Sequence, residues 1–202
     1  MPYNGAITRE HFLMRETRLV AQLKAGDHLT NEQIVERVTA ENLFQYPTAR
    51  ELGSIARACC RRLDALSDDP TTRETLTCLV AHGTLEQARQ TNLYANMRAY
   101  RLVWEFMVSV VGPRNLALDP SLPRRDVMAF LEQLRTQDEH VARWSDATMT
   151  RIRQALTGSL AECAMYDRKT QTLQPIYLDF ELEQGIRANG DEACLPAFNR
   201  LN

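Results

Sequence analysis

Residues 48–63 of this 202-residue chain have the sequence Thr48-Ala49-Arg50-Glu51-Leu52-Gly53-Ser54-Ile55-Ala56-Arg57-Ala58-Cys59-Cys60-Arg61-Arg62-Leu63. Plotted at about 100° per residue, the apolar side chains fall on one side of a helix: Leu52, Ile55, Cys59, Leu63 and the following Leu66. Arg50, Arg57 and Arg61 fall on the opposite side. The stretch therefore predicts an amphipathic helix with one buried face and a row of guanidinium groups on the other.

This predicted helix is positively charged in a chain that is not. From Thr48 to Leu63, four arginines and Glu51 give a net charge of +3 (4 − 1), whereas the whole chain carries −2 at pH 7. A local charge opposed to the average favours a polyanionic partner, most often a phosphate backbone. The alternative is a solvated helix face that acidic residues of a neighbouring segment neutralise, and the sequence leaves both interpretations open.

The composition is typical of a folded globular protein, with 44% hydrophobic and 25% charged residues. A chain of this length can form one large core or two small ones. Arginine supplies 22 of the 24 basic residues, since Lys24 and Lys169 are the only lysines. Planar guanidinium groups suit phosphate and carboxylate better than lysine does, so the composition agrees with an anionic partner.

Helix starts are marked by the capping-box pattern, a threonine followed three residues later by Glu or Gln. The pattern occurs at Thr30/Gln33, Thr48/Glu51, Thr71/Glu74 and Thr84/Gln87. Apolar spacing predicts helices at about 9–25, 31–42, 49–66, 72–81, 84–111, 125–136, 145–165, 177–187 and 191–200, with a small ribbon near 171–178. The predicted fold class is all-α, with a helix-turn-helix-like lobe over 1–68 and a second helical bundle over 69–202.

The chain lacks the patterns of an enzyme or a metal site. Its four histidines have no zinc-ligand spacing, and no phosphate-binding or nucleophile-elbow glycine motif is present. Cys78 and His82, four residues apart, supply only two ligands. We expect a non-enzymatic protein without metal, cofactor or small-molecule substrate.

Further signals predict a cytoplasmic location. The five cysteines include an adjacent pair and no C-x-x-C, which is typical of reduced thiols. The N-terminus has no basic segment followed by an apolar run. The most apolar stretch, 102–111, is half as long as the roughly 20 residues that span a bilayer. We expect no secretory signal, no transmembrane helix and no membrane partner.

The first three predicted helices have the proportions of a helix-turn-helix unit, in which 49–66 is the recognition helix. The turn of about five residues before it exceeds the usual three or four, which favours backbone contacts over base-specific ones. We predict nucleic-acid contacts from two groups of residues. The first is Arg50, Ser54, Arg57, Arg61 and Arg62, and the second is Arg143, Arg151 and Arg153.

Short segments along the whole chain resemble, in order and spacing, those of a known family. They are Phe12 to Glu16, Glu41-Asn42-Leu43-Phe44-Gln45, Arg61-Arg62-Leu63, Asn92-Leu93-Tyr94-Ala95, Arg101-Leu102, Glu105-Phe106-Met107 and Val141-Ala142-Arg143-Trp144-Ser145-Asp146. In these segments the chain resembles BrxA, the small helical component of bacterial BREX phage-defence systems. The resemblance implies a cytoplasmic accessory protein with an all-helical, NusB-like fold that binds double-stranded DNA.

Two other functions remain open. The first is a protein–protein adaptor that docks on other BREX proteins through the acidic segment 179–192. The second is RNA binding on a NusB-like surface.

Overall fold

The computed structural model describes residues 3–199. This part of the chain is built almost entirely from helices, which confirms the all-α class. Its α-helices are α1 (Met14–Gly26), α2 (Asn31–Ala40), α3 (Ala49–Asp64), α4 (Pro70–His82), α5 (Leu85–Ala99), α6 (Arg101–Phe106), α7 (Gly112–Leu116), α8 (Arg124–Gln137), α9 (Glu139–Ala142), α10 (Asp146–Glu162) and α11 (Phe180–Ala188). The shorter elements are 3-10 helices at Ala6–Thr8 and Glu192–Phe198, a π-helical turn at Met107–Val111, and the antiparallel strands β1 (Tyr166–Asp167) and β2 (Thr172–Leu173).

These elements pack into two compact units. One unit is Leu13–Ala99 and contains α1 to α5; the other combines residues 100–199 with residues 3–12. Within the first unit, α1 packs against α3 and α4, and α2 packs against α3. These units do not follow the predicted lobes 1–68 and 69–202, and those lobes stay a prediction about which segments fold independently.

The core of the first unit is organised by α3. Its predicted apolar face is buried, from Leu52 through Leu63 to the following Leu66. α1 contributes Val20 to the same core and α2 contributes Ile34, both fully buried. Since each such side chain contributes about 1.5–3 kcal/mol when removed from water, this face determines how α3 is oriented.

Three of the four predicted helix caps are present. Thr30 and Gln33 form a complete capping box at α2, and Thr84 and Gln87 exchange the same two hydrogen bonds before α5, at 2.8 and 3.2 Å. The Thr48 hydroxyl accepts a hydrogen bond from the Glu51 N–H at the start of α3. These side chains satisfy backbone N–H groups that the first helical turn leaves without partners.

The predicted cap at Thr71 is wrong, because α4 begins two residues earlier, at Pro70, and its cap is Asp69. Asp69 accepts a hydrogen bond from the Thr72 N–H at 2.7 Å, and Pro70 occupies the first helical position. Proline is suited to that position, since it has no N–H to satisfy and its φ angle is already helical. The Thr72 N–H also lowers the pKa of Asp69 below its ordinary value.

The helix predicted over 84–111 is interrupted at Tyr100. Its backbone is extended there, with φ −131° and ψ 109°, so α5 ends at Ala99 and α6 begins at Arg101. No glycine or proline marks the break. Tyr100 is buried and its hydroxyl donates a hydrogen bond to the Glu10 carboxylate, so tertiary contacts determine this conformation. The first helix also begins later than predicted, after Leu13, whose φ of 50° is left-handed.

In the second unit, hydrogen bonds connect the hairpin of β1 and β2 to the start of α8. The Leu122 N–H donates to the Gln171 carbonyl at 2.9 Å, and the Leu173 N–H donates to the Pro120 carbonyl at 2.7 Å. The Tyr166 hydroxyl donates to the Leu122 carbonyl at 3.1 Å. Since β1 and α8 both pack against α10, these bonds bring three separate elements to one place.

Alanine variants of Thr48, which caps α3, and of Thr71, which does not cap α4, allow a direct test of the starts of these two helices. In Thr48→Ala the Glu51 N–H loses its acceptor, so the free energy of unfolding should fall by about 1 kcal/mol. In Thr71→Ala it should change by less than about 0.5 kcal/mol, because Thr71 is exposed and caps no helix. Urea denaturation measures both variants, and an equal loss in the two would contradict the observed start of α4.

Candidate nucleic-acid interface

The exposed face of α3 carries four of the predicted contact residues: Arg50, Ser54, Arg57 and Arg61. We refer to these four residues as the α3 row. At about 1.5 Å per residue, the row extends roughly 16 Å along the helix axis. The opposite face is buried, so the helix has the two faces that its sequence predicted.

The Arg57 side chain lies back along α3, towards the N-terminus of the helix. A Cβ atom placed on Gly53 would be 3.4 Å from Nη2 and 3.5 Å from Nη1 of Arg57. Glycine at position 53 thus allows this guanidinium to lie close to the helix, one turn before its own Cα. Within the described residues, no ion pair involves Arg50 or Arg57.

Acidic residues lie beside the C-terminal end of the α3 row. A groove of about 540 Å³ between α2 and α3 is lined by Asn31, Glu32, Val35, Glu36, Arg57, Cys60, Arg61 and Asp64. Arg61 has an interaction partner inside the protein, and Asp64 forms an ion pair with Lys24. Arg57 also lines this groove but forms no ion pair within the described residues, and Arg50 does not line it. These two arginines are therefore the part of the row most available to an external anion.

Arg62 does not belong to this surface. Its side chain has 0% exposure and faces the core of the first unit. Burial raises the pKa of the neighbouring Cys59 thiol to about 12, and the positive charge of Arg62 opposes that shift. Because successive helical residues differ by about 100°, adjacency to the exposed Arg61 did not predict exposure of Arg62.

The second predicted group, Arg143, Arg151 and Arg153, is not gathered at one point. Arg143 is exposed in the turn after α9. Arg151 lines a cavity of about 530 Å³, and Arg153 lines a different cavity of about 390 Å³. Two residues apart on α10, these side chains point to different sides of the helix.

The cavity at Arg153 contains two arginines that sequence analysis missed, Arg124 and Arg168. We name it the α10 cleft; its lining residues are Arg124, Arg153, Gln154, Thr157, Tyr166 and Arg168. Each missed arginine has a basic neighbour in sequence, Arg125 or Lys169. The sequence shows these basic neighbours, but it does not show that the hairpin and the start of α8 both approach α10.

Residues 3–199 contain no cluster of three or more His, Cys, Asp or Glu side chains that could hold a metal ion. In the same part of the chain, no helix has the length and apolar character needed to cross a membrane. All five cysteines lie in this part and none forms a disulfide.

Comparison with known proteins identifies the family. The BrxA family model matches residues 1–190, so the chain belongs to the BrxA family. It is 29% identical over 191 residues to a BREX protein BrxA of Bacillus cereus (strain H3081.97), covering 94% of this chain and 92% of that protein. It is 25% identical over 194 residues to a BREX protein BrxA of Paramagnetospirillum magneticum (strain ATCC 700264 / AMB-1), with the same coverage.

The fold also resembles a solved structure. The crystal structure of an uncharacterized protein from Magnetospirillum magneticum superposes with a TM-score of 0.79 over 97% of both chains, at 23% sequence identity. This similarity supports the fold.

The different environments of two adjacent arginines generate a stability prediction. Arg62→Ala should lower the free energy of unfolding by about 2–4 kcal/mol, because it creates a cavity and removes the partner of buried groups. Arg61→Ala should cost less than about 1 kcal/mol, because the side chain is exposed. Thermal and urea denaturation of both variants provide the comparison. A loss in Arg61→Ala as large as in Arg62→Ala would show that the two environments are misassigned.

Proposed function

We propose that this chain is a non-enzymatic, double-stranded-DNA-binding accessory protein of a BREX-type phage-defence system. The observation that carries the proposal is the α3 row, an exposed line of arginines on a helix whose other face is buried. The names of the relatives support the connection to BREX. The contact with DNA is inferred from the surface itself.

The spacing of the α3 row suits a phosphate backbone. Arg50 and Arg57 are separated by about 10 Å along the axis, at 1.5 Å per residue. Side chains this far apart can contact separate phosphates of one strand. The exposed Ser54 lies between them on the same face and can donate a hydrogen bond to a phosphate oxygen. Such contacts would neutralise phosphates and release counterions.

α2 packs against α3, as the two helices of a helix-turn-helix do, but the connection between them is long. Eight residues, 41–48, connect the two helices, which is longer than the usual connection of three or four. We infer that α3 contacts mainly the sugar-phosphate backbone, so that affinity depends strongly on salt and weakly on base sequence.

A cytoplasmic site of action is part of this proposal, because the five cysteines are thiols as expected in a reducing compartment.

A second candidate function is a protein adaptor that docks on other BREX proteins. Two aromatic side chains in the second unit are unusually exposed, Tyr177 at 93% and Phe180 at 70%. Both lie near the acidic start of α11, where Glu181 is also exposed. Exposed aromatic residues are enriched at protein interfaces. RNA binding on a NusB-like surface stays a prediction without a specific observation to favour it.

Duplex titration of full-length variants tests the DNA-binding proposal. Fluorescence anisotropy over a series of salt concentrations gives the slope of log affinity against log salt. Arg50→Ala combined with Arg57→Ala should lower that slope by about two, since each lost phosphate contact removes about one. Affinity at low salt should fall at least about tenfold, because two charge-assisted contacts are lost.

The matched control removes the same charge elsewhere. Arg9 and Arg15 are both exposed and lie outside the α3 row and the α10 cleft, so Arg9→Ala with Arg15→Ala should leave the slope nearly unchanged. Absence of duplex binding by the wild type would contradict the proposed function. Equal losses in the two double variants would contradict the assignment to α3.

A further inference from the structure

We propose that the α10 cleft is a phosphate-binding site. It lies in the unit formed by residues 100–199 and 3–12 and has a volume of about 390 Å³. Three guanidinium groups line it, and each comes from a different element. The existence of this site does not rest on the proposed function. The proposed function decides only whether the phosphate belongs to the backbone of a nucleic acid or to a free phosphate compound.

The three arginines are held at the cleft by the surrounding fold. Arg124 is the first residue of α8, and its backbone N–H donates to the Gln171 side chain of the hairpin at 2.9 Å. Arg153 belongs to α10, while Arg168 lies in the turn between β1 and β2. A Cβ atom on Gly158 would be 3.5 Å from Nη2 of Arg168. The Arg168 guanidinium therefore lies across α10, where the helix has no side chain to displace it.

The cleft contains no carboxylate among its lining residues. Gln154, Thr157 and Tyr166 complete the lining, and no ion pair within the described residues involves any of the three arginines. The nearest acid in sequence, Asp167, accepts hydrogen bonds from the backbone N–H groups of Lys169 and Thr170 at 2.7 and 3.3 Å. Those bonds lower the pKa of Asp167 and hold its carboxylate in the hairpin turn, and Asp167 is not among the residues that line the cleft.

Several other arginines of the same unit are paired with acids. Arg114 contacts Asp126 at 2.9 Å, and Arg187 contacts Glu183 at 2.9 Å. The cleft arginines differ from these because all three line one cavity that has no carboxylate among its lining residues. Burial raises the pKa of Tyr166, the charges of Arg124 and Arg153 oppose that increase, and the charge of Asp167 adds to it, which places both arginine charges near the same phenol. An anion in the cleft would relieve their mutual repulsion.

The chemistry of the lining favours phosphate over a simple carboxylate. Guanidinium groups bind oxyanions through paired N–H donors, and three of them match a tetrahedral group with several charged oxygens. The Gln154 side chain can add an amide donor. Gln154 and Arg168 also line the neighbouring cavity, which adds Arg151 and one acid, Glu162. This continuity of basic side chains favours a phosphate that belongs to a longer strand.

The first arm of the test uses inorganic pyrophosphate and no nucleic acid. Added to the full-length chain at constant ionic strength, it should raise the melting temperature by about 3–6 °C at ten times its dissociation constant. Arg124→Ala with Arg168→Ala should abolish the rise. Arg125→Ala with Lys169→Ala removes equal charge from the adjacent positions, neither of which lines the cleft, and should retain it.

The outcome of this arm decides whether the site exists. A wild type that pyrophosphate does not stabilise, or a cleft variant that keeps the stabilisation, would overturn the proposal. Both mutated arginines are exposed, and the melting temperature without ligand checks that the variants fold. If the double variant unfolds, Arg168→Ala measured against Lys169→Ala makes the same comparison with one change each.

The second arm identifies the source of the phosphate. In duplex titrations, the Arg124 and Arg168 double variant should lower the salt slope by about two relative to the Arg125 and Lys169 control. That result would show that the cleft binds the phosphates of a nucleic-acid backbone. Stabilisation by pyrophosphate without any effect on duplex binding assigns it to a free phosphate compound. Because the first arm contains no DNA, failure of the proposed function and failure of the cleft give different results.

Discussion

The burial of one face of α3 is the constraint on which the rest of the first unit depends. Leu63 and Leu66 are fully buried, as are the side chains of α1 and α2 that pack against them. Because the rotation per residue is constant, burying this face determines which residues face outward. The same packing that stabilises the unit therefore exposes Arg50 and Arg57, and it encloses Arg62. The proposed DNA-contacting surface of α3 is therefore a direct consequence of core formation.

The distribution of arginine partners is a second organising feature. The chain is slightly acidic overall, so a basic surface arises only where acids are used elsewhere. Asp64 accepts hydrogen bonds from the side chains of Lys24 and Asn31, and Asp167 accepts one from the backbone N–H of Lys169. Within residues 3–199, Arg57 beside Asp64 and Arg168 beside Asp167 form no ion pair, whereas Arg114 and Arg187 each pair with an acid. Both proposed surfaces follow from this separation of charges within one nearly neutral molecule.

Sequence analysis predicted the features that depend on local physical chemistry. Helical periodicity identified the two faces of α3, and the capping pattern located the starts of α2, α3 and α5. It did not predict the break at Tyr100, which tertiary contacts impose, or the cap at Asp69, which competes with the pattern at Thr71. The α10 cleft was missed because Arg124 and Arg168 are 44 residues apart in number (168 − 124) and meet only through the hairpin. Long-range pairing of this kind leaves no periodic signal.

The central claim is that the outward guanidinium groups of α3 hold a polyanion. Chemical modification of arginine with phenylglyoxal, followed by peptide mass spectrometry with and without saturating duplex DNA, tests it at individual residues. We expect DNA to slow the modification of Arg50 and Arg57 at least about tenfold, since guanidinium groups that bind phosphate are less accessible to the reagent. Arg15, exposed on α1, should react at an unchanged rate. Modification of Arg50 and Arg57 at the same rate in the DNA-saturated protein would contradict the account.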